Sequence, residues 1–139
     1  MIKMEVTPEK FLQLFGGAMD FVIIVEGKND KEQLQKVVTE DVEILCTYGT
    51  PGTEQLENLR RQIGDRDVYV FTDNDRSGRR IRALLSEAFP DAVQLYTRKG
   101  YAGVEGTPKE YMIRQLEKAG LEQYVRKDAA EPGSIDGPD

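Results

Sequence analysis

Three carboxylates follow two apolar segments of the sequence, at the point where each segment ends. Glu26 comes directly after the five apolar residues 21–25, and Asp73 and Asp75 come shortly after the apolar run 68–71. Because the carboxyl ends of neighbouring parallel strands meet at one edge of a sheet, we expect these three side chains to lie close together. Hard divalent cations prefer carboxylate oxygens, so the pattern predicts a magnesium or manganese site.

Each motif also has a purely structural interpretation. Glu26 taken alone can be a charge that faces solvent at the end of a strand. Asp73 and Asp75 can form a turn and a helix N-cap, which are common roles for aspartate. The combination favours a site, because both motifs follow the most apolar segments and precede a helix. Gly27 and Gly78 would also let backbone or phosphate approach closely.

Basic residues are concentrated on the same predicted loops. They are Lys28, Lys31, Arg76, Arg79, Arg80, Arg82, Arg98 and Lys99. A mixed edge of carboxylates and arginines fits a metal that bridges to phosphate, with arginine binding the phosphate oxygens. A solvated helix face is the alternative, particularly for Arg82. Glu105, in a second Val-Glu-Gly sequence after the fourth predicted strand, could add another carboxylate to the site.

The composition excludes several kinds of chemistry. The chain has no histidine and one cysteine, Cys46, which rules out a Ser-His-Asp triad, a Cys-His pair and the usual zinc sites. Neither a phosphate-binding P-loop nor a G-x-G-x-x-G dinucleotide motif is present. The net charge of −6 argues against indiscriminate nucleic-acid binding. The absence of a long apolar run, of a signal peptide and of a cysteine pair predicts a cytoplasmic protein with no membrane partner.

Alternation of strand and helix dominates the pattern of the chain. The predicted strands are 21–25, 42–47, 68–71 and 92–96, each followed by a helical segment. This alternation is typical of a three-layer α/β/α fold with a four-stranded parallel sheet. The first and third strands are the most apolar and should be central, which gives the strand order 2-1-3-4. We expect an N-terminal helix in 1–19, the α/β domain in 20–125 and a disordered acidic tail in 126–139.

The acidic motifs resemble those of the Toprim domain, the catalytic module shared by topoisomerases, primases and some nucleases. The resemblance rests on Val-Glu-Gly-Lys-Asn-Asp at 25–30 and Phe-Thr-Asp-Asn-Asp-Arg-Ser-Gly at 71–78, and it spans about residues 20–120. Within that class, the runs around Asp30, Arg80 and Glu105 look most similar to the ribosomal-RNA-maturing ribonuclease M-five and its small stand-alone relatives. This resemblance implies the same Rossmann-like fold.

The resemblance also implies roles for individual residues. Glu26 would be the general acid or base, with Lys28 beside it, and Asp73 and Asp75 would hold magnesium together with Glu26. Asp30 and Glu105 would be additional acids. Four basic residues would contact nucleic-acid phosphates, namely Lys28, Arg76, Arg80 and Arg82.

Three functions remain open at this stage. The first is magnesium-dependent phosphodiester cleavage or phosphoryl transfer on nucleic acid, with RNA favoured over DNA. The second is a non-catalytic module that binds nucleic acid, a ribonucleoprotein or a protein partner, because the chain lacks the accessory regions of the larger Toprim enzymes. The third is an α/β protein that binds nucleotides or small phosphate esters. Tyr48 and Tyr101 fall in loops at the same predicted edge, where they could stack on bases or simply pack.

Overall fold

The computed structural model describes residues 20–97 and 107–130. The predicted N-terminal helix in 1–19, the loop that carries Arg98, Lys99, Tyr101 and Glu105, and residues 131–139 lie outside the described residues. In chain order the elements are β1 (Phe21–Val25), α1 (Lys28–Gln35), β2 (Glu43–Cys46), α2 (Thr53–Ile63), β3 (Asp67–Thr72), α3 (Arg76–Ala88), β4 (Val93–Tyr96), α4 (Lys109–Lys118), a 3₁₀ turn (Glu122–Tyr124) and α5 (Lys127–Ala130).

The four strands form one parallel sheet in the order β2-β1-β3-β4. This confirms the predicted α/β class and the predicted strand order. Every residue of β1 is buried, whereas β2 and β4 each bury a single residue fully. A strand that is covered on both faces must be apolar throughout, and an edge strand need not be. The apolar content of each segment therefore decides its place in the sheet.

Helices cover both faces of the sheet, as the three-layer prediction required. Alternate residues of β1 face opposite sides, so that Ile23 and Val25 contribute to one apolar core and Val22 and Ile24 to the other. The first core is completed chiefly by α1 and α4, through Leu34, Met112, Ile113 and Leu116. The second is completed by α2 and α3, through Leu59, Ile63, Ile81 and Leu85. The helices are thus fixed by burial of one stripe each.

The C-terminal part of the described chain departs from the prediction. Val125 forms an antiparallel bridge with Val38, and the backbone N–H of Arg126 donates to the Val37 carbonyl over 2.8 Å. The short helix α5 follows. Regular secondary structure is therefore described as far as residue 130, within the segment 126–139 that was predicted to be a disordered tail. No helix in 20–97 or 107–130 has the length and apolar character needed to cross a membrane.

Candidate functional site

Glu26 lies immediately after β1, at the carboxyl edge of the sheet, where it is partly buried. Burial raises the pKa of its carboxyl group, and so does the negative charge of Asp73, with smaller contributions from Asp30 and Asp75. Desolvation and neighbouring anions both disfavour the ionised form. Asp73, Asp30 and Asp75 therefore lie near enough to Glu26 to raise its pKa.

Asp73 and Asp75 belong to the loop that joins β3 to α3. Asp73 is half-buried and Asp75 is exposed. Asp75 is the N-cap of α3, where its Oδ1 accepts the backbone N–H of Gly78 over 2.7 Å. Asp75 therefore has the structural role of a helix N-cap, and this hydrogen bond uses one of its two carboxylate oxygens. The proposed role of the other oxygen as a metal ligand stays a prediction.

Gly78 packs directly against the backbone of Asp73. A Cβ atom at Gly78 would lie 2.0 Å from the Asp73 carbonyl oxygen and 2.8 Å from the carbonyl carbon. No side chain fits in this space, so only glycine lets the first turn of α3 approach the loop so closely. In the Asp-x-Asp-x-x-Gly motif, the glycine is therefore required by close packing, whereas the aspartates contribute charge.

Three buried threonines lie beneath the site, at the carboxyl ends of β2, β3 and β4. They are Thr47, Thr72 and Thr97. The Thr72 hydroxyl donates to the Gly78 carbonyl over 3.2 Å, and the Thr97 hydroxyl accepts the backbone N–H of Asn74 over 3.1 Å. Two of these hydroxyls thus hold the acidic loop from below. Our sequence analysis missed them, although a threonine at the end of each strand was a visible signal.

The first turn of α1 carries the remaining acid and a predicted catalytic lysine. The N-cap of α1 is Gly27, and its backbone N–H donates to Asp30 Oδ2 over 2.9 Å. Asp30 therefore caps the first turn of α1 and also adds negative charge near Glu26. Lys28, two residues after Glu26 in the sequence, is the first residue of α1 and is exposed.

Two of the four predicted phosphate-binding residues, Arg76 and Arg80, lie exposed at the N-terminal end of α3. Arg79 is exposed there as well. Arg79 Nη1 donates to the Asn74 carbonyl over 3.5 Å, which directs it toward the acidic loop. The helix N-terminus adds a partial positive charge at the same place, which favours anions.

Arg82 does not lie among these exposed residues, which corrects its predicted contact with phosphate. It is 9% exposed, and burial lowers the pKa of its guanidinium group. Nη2 donates to the carbonyls of Thr72, at 3.2 Å, and of Leu95, at 2.8 Å, while Nη1 donates to Gln94 Oε1. Its donors join the ends of β3 and β4 to α3, so its place in this structure is a structural one. Helical spacing alone did not separate it from its exposed neighbours.

The donor set at this edge suits a hard cation. Glu26, Asp73 and Asp75 offer carboxylate oxygens, and a divalent ion bound beside them would offset the negative charge that, after burial, raises the pKa of Glu26. Within 20–97 and 107–130, however, no group of three or more acidic, cysteine or histidine side chains is placed so that it could hold a metal ion. The donor chemistry therefore suits a hard cation, whereas the side chains as placed here do not form a three-ligand site.

Comparisons with known proteins agree with this geometry. The family model described as the Toprim domain matches residues 21–103. "Uncharacterized protein YusF" of Bacillus subtilis is 37% identical, over 77% of this chain and 73% of its own length. "Ribonuclease M5 1" of Ligilactobacillus salivarius is 33% identical, over 84% of this chain and 70% of its own. A solved structure of a small TOPRIM domain protein from Bacillus stearothermophilus superposes with a TM-score of 0.71 at 33% identity, covering 84% of this chain and 97% of that one.

Substitution of Gly78 tests the steric account of the acidic loop. Gly78→Ala should destabilise the protein by about 1–3 kcal/mol, because the new methyl group displaces the Asp73 backbone. Helix propensity alone predicts the opposite sign, since alanine is favoured over glycine by about 1 kcal/mol in a helix. Urea unfolding measures the difference. Gly52→Ala is the control, because no heavy atom lies within 4 Å of its added Cβ. A stabilised Gly78→Ala protein would contradict the close packing.

Removal of the Arg82 guanidinium should also destabilise the fold. Arg82→Met should cost about 2 kcal/mol in urea unfolding, because it removes a charged donor from two buried carbonyls. The exposed Arg80→Met should change stability by less than about 0.5 kcal/mol. Equal stabilities of the two variants would show that Arg82 does not hold β3 and β4 together.

The raised pKa of Glu26 makes a prediction about pH. The folded protein binds this proton more tightly than the unfolded chain, so the contribution of Glu26 to stability is present below its unfolded-state pKa. It is lost as the pH rises through the raised folded-state pKa. Without metal, Glu26→Gln should therefore be more stable than the wild type at neutral pH, and the difference should disappear in acid.

Carbon-13 NMR of the carboxyl groups checks the cause of that shift. Asp73→Asn should lower the Glu26 pKa, because it removes the largest charge contribution. Asp41→Asn, on the far side of α1, is the control and should leave it unchanged. A Glu26 pKa that does not respond to Asp73→Asn would mean that the two carboxylates are not neighbours.

Proposed function

The chain belongs to the Toprim family, and from this premise we propose that it cleaves phosphodiester bonds in RNA with the help of magnesium or manganese. The observation that carries the proposal is the interaction of Glu26 with Asp73, Asp75 and Asp30 at one edge of the sheet. Similarity to a protein named Ribonuclease M5 1 supports RNA as the substrate. The reduced single cysteine and this substrate support a cytoplasmic location.

Glu26 is the residue best suited to move the proton. A general acid or base works best when its pKa lies near the working pH, and burial with neighbouring anions moves Glu26 in that direction. The chain has no histidine that could take this part. As a carboxylate Glu26 would accept a proton from the attacking hydroxyl or water, and as a carboxylic acid it would donate one to the leaving oxygen. Lys28, exposed two residues after it in the sequence, would bind the phosphate.

Asp73, with Asp75 and Glu26, would hold the divalent ion. Magnesium commonly binds one or two carboxylates and completes its shell with water and substrate phosphate, so it does not require three protein ligands. When bound, the ion neutralises phosphate charge and stabilises the leaving oxygen. Asp75 can contribute only the oxygen that does not cap α3. Glu105 lies outside the described residues, and we retain it in the proposal as an additional acid.

Exposed basic side chains next to the acids would bind the flanking phosphates. Arg76 and Arg80 lie on the first turns of α3, and Lys28 opens α1. Arginine binds phosphate oxygens through paired donors, and the helix N-termini add backbone N–H groups. Binding through these few local charges is compatible with a chain whose net charge is −6.

A non-catalytic module that binds nucleic acid or a protein partner is the second candidate. It is favoured by the commitment of one oxygen of Asp30 and one of Asp75 to helix starts, and by the finding that no group of three or more potential ligands within the described ranges could hold a metal ion. Such a module would bind RNA or a ribonucleoprotein without turnover.

A cleavage assay separates the two candidates. With magnesium and a structured RNA, Glu26→Gln should lower the cleavage rate by at least about 100-fold, because it removes proton transfer. NMR titration with magnesium should show a much smaller change in affinity. Asp73→Asn should abolish cleavage and weaken magnesium binding. Asp41→Asn is a matched control that should cleave like the wild type.

Two outcomes would contradict the proposed cleavage of RNA by this protein. Cleavage that persists in Asp73→Asn would indicate a contaminating nuclease. RNA binding without cleavage by any of the proteins would favour the non-catalytic module. Duplex DNA, run in parallel, tests the preference for RNA.

A further inference from the structure

Two exposed tyrosines flank the acidic edge. Within the described ranges, three large apolar side chains are exposed, namely Tyr48 at 75%, Tyr96 at 49% and Val93 at 39%. Tyr48 follows β2 and Tyr96 ends β4, so both tyrosines lie at the carboxyl edge, whereas Val93 begins β4 at the opposite edge. The two strands that carry them are the outer strands of the sheet.

Tyr48 is held in an uncommon backbone conformation next to Glu26. Its φ angle is 55°, in the left-handed region that residues with a side chain rarely adopt. Its backbone N–H donates to the Glu26 carbonyl over 2.6 Å, which fixes the turn to the end of β1. The backbone of Tyr48 is therefore strained, and its hydrogen bond to the Glu26 carbonyl fixes the residue that carries the exposed ring at the end of β1.

Tyr96 is fixed from the other side of the site. The Arg82 guanidinium carbon lies 4.3 Å from the centroid of its ring, and its backbone N–H donates to Gln115 Oε1 over 3.2 Å. Because Arg82 is itself buried and bonded to two carbonyls, it orients the ring from within the fold. About half of the Tyr96 surface stays exposed.

The strand order places the acids between these rings. From β2 to β4 the sheet spans three inter-strand gaps, or about 14 Å at about 4.8 Å each. A stacked single strand covers that distance with about four nucleotides, at about 3.4 Å per nucleotide. We propose that unpaired nucleotides of RNA cross this edge, with bases stacked on Tyr48 and Tyr96 and the backbone over Glu26 and Asp73. This proposal rests on the function proposed above and specifies its substrate as a single-stranded segment.

The surroundings of the rings favour nucleic acid over a protein. The rings are separated by the charged edge and do not form one apolar patch. Lys28 at the start of α1, and Arg76 and Arg80 in the first turns of α3, are exposed and follow the acidic motifs directly in sequence, so positive charge is available for phosphates. Aromatic side chains beside positive charge are the usual platform for single strands, because every base has a face that can stack.

Equilibrium binding in a Glu26→Gln background tests the proposal without cleavage. The probe is a fluorescently labelled 12-nucleotide single-stranded RNA in magnesium, and a gel verifies that it stays intact. Tyr48→Leu and Tyr96→Leu should each weaken binding about tenfold, the scale of one lost stacking contact. Tyr48→Phe and Tyr96→Phe keep the rings and should bind within about twofold of the background protein. Val93→Ala, at the opposite edge, should have no effect.

An abasic RNA of the same length isolates the stacking contribution. It should bind about tenfold or more weakly to the parent protein and should not respond to either leucine substitution. A duplex of the same sequence should also be insensitive to them. Circular dichroism verifies that each variant is folded. If Tyr96→Leu does not fold, Tyr48→Leu and the abasic RNA still test the stacking proposal.

The outcomes separate this proposal from the function on which it rests. Unchanged affinity of both leucine variants overturns the stacking proposal and leaves the rings as contacts for a protein, while RNA cleavage by the wild type would still stand. Weaker binding of the leucine variants supports stacking even if the wild type cleaves nothing. Equal sensitivity of duplex and single strand would also overturn it.

Discussion

The pairing of β1 with β3 at the centre of the sheet is the constraint on which the site depends. The two strands run parallel with Ile24 opposite Val70, so their carboxyl ends finish side by side. Glu26 and Asp73 follow these ends directly. Residues far apart in sequence are therefore brought together by backbone hydrogen bonds and by burial of the apolar residues of these two strands. The charge repulsion among the acids is small compared with the burial of this core.

Close packing under the loop keeps the acids in place against that repulsion. Gly78 lies against the Asp73 backbone, Thr72 bonds the Gly78 carbonyl, and Thr97 bonds the N–H of Asn74. Arg82 completes this support by joining the ends of β3 and β4. These groups need not touch a substrate to matter. They fix the backbone from which Asp73 projects, so any chemistry at the edge depends on them.

The lack of histidine gives the electrostatics of Glu26 particular importance. An ordinary glutamate is too acidic to exchange protons readily near neutral pH, and burial beside other acids is the available way to change this. The proposed proton carrier and the proposed metal ligands thus belong to one cluster of carboxylates, and the exposed arginines proposed to bind phosphate lie at the start of α3.

The amino-acid sequence by itself determined the fold class, the strand order and the nearness of Glu26, Asp73 and Asp75. It could do so because these depend on apolar patterning and on the rule that ligands meet at the carboxyl ends of parallel strands. Their roles as metal ligands and proton carrier stay predictions. Tertiary structure alone decided the place of Arg82, since exposed and buried arginines on one helix differ only in what packs above them.

Tertiary structure also decided the helix caps and the two aromatic rings. Asp75 caps α3 and Gly27 caps α1, which local sequence left open among several polar residues. Tyr96 was read only as a strand residue, and its place beside Arg82 comes from contacts across the sheet. Periodicity records which residues avoid water. It does not record which polar group meets which, because those partners are chosen only when distant segments pack together.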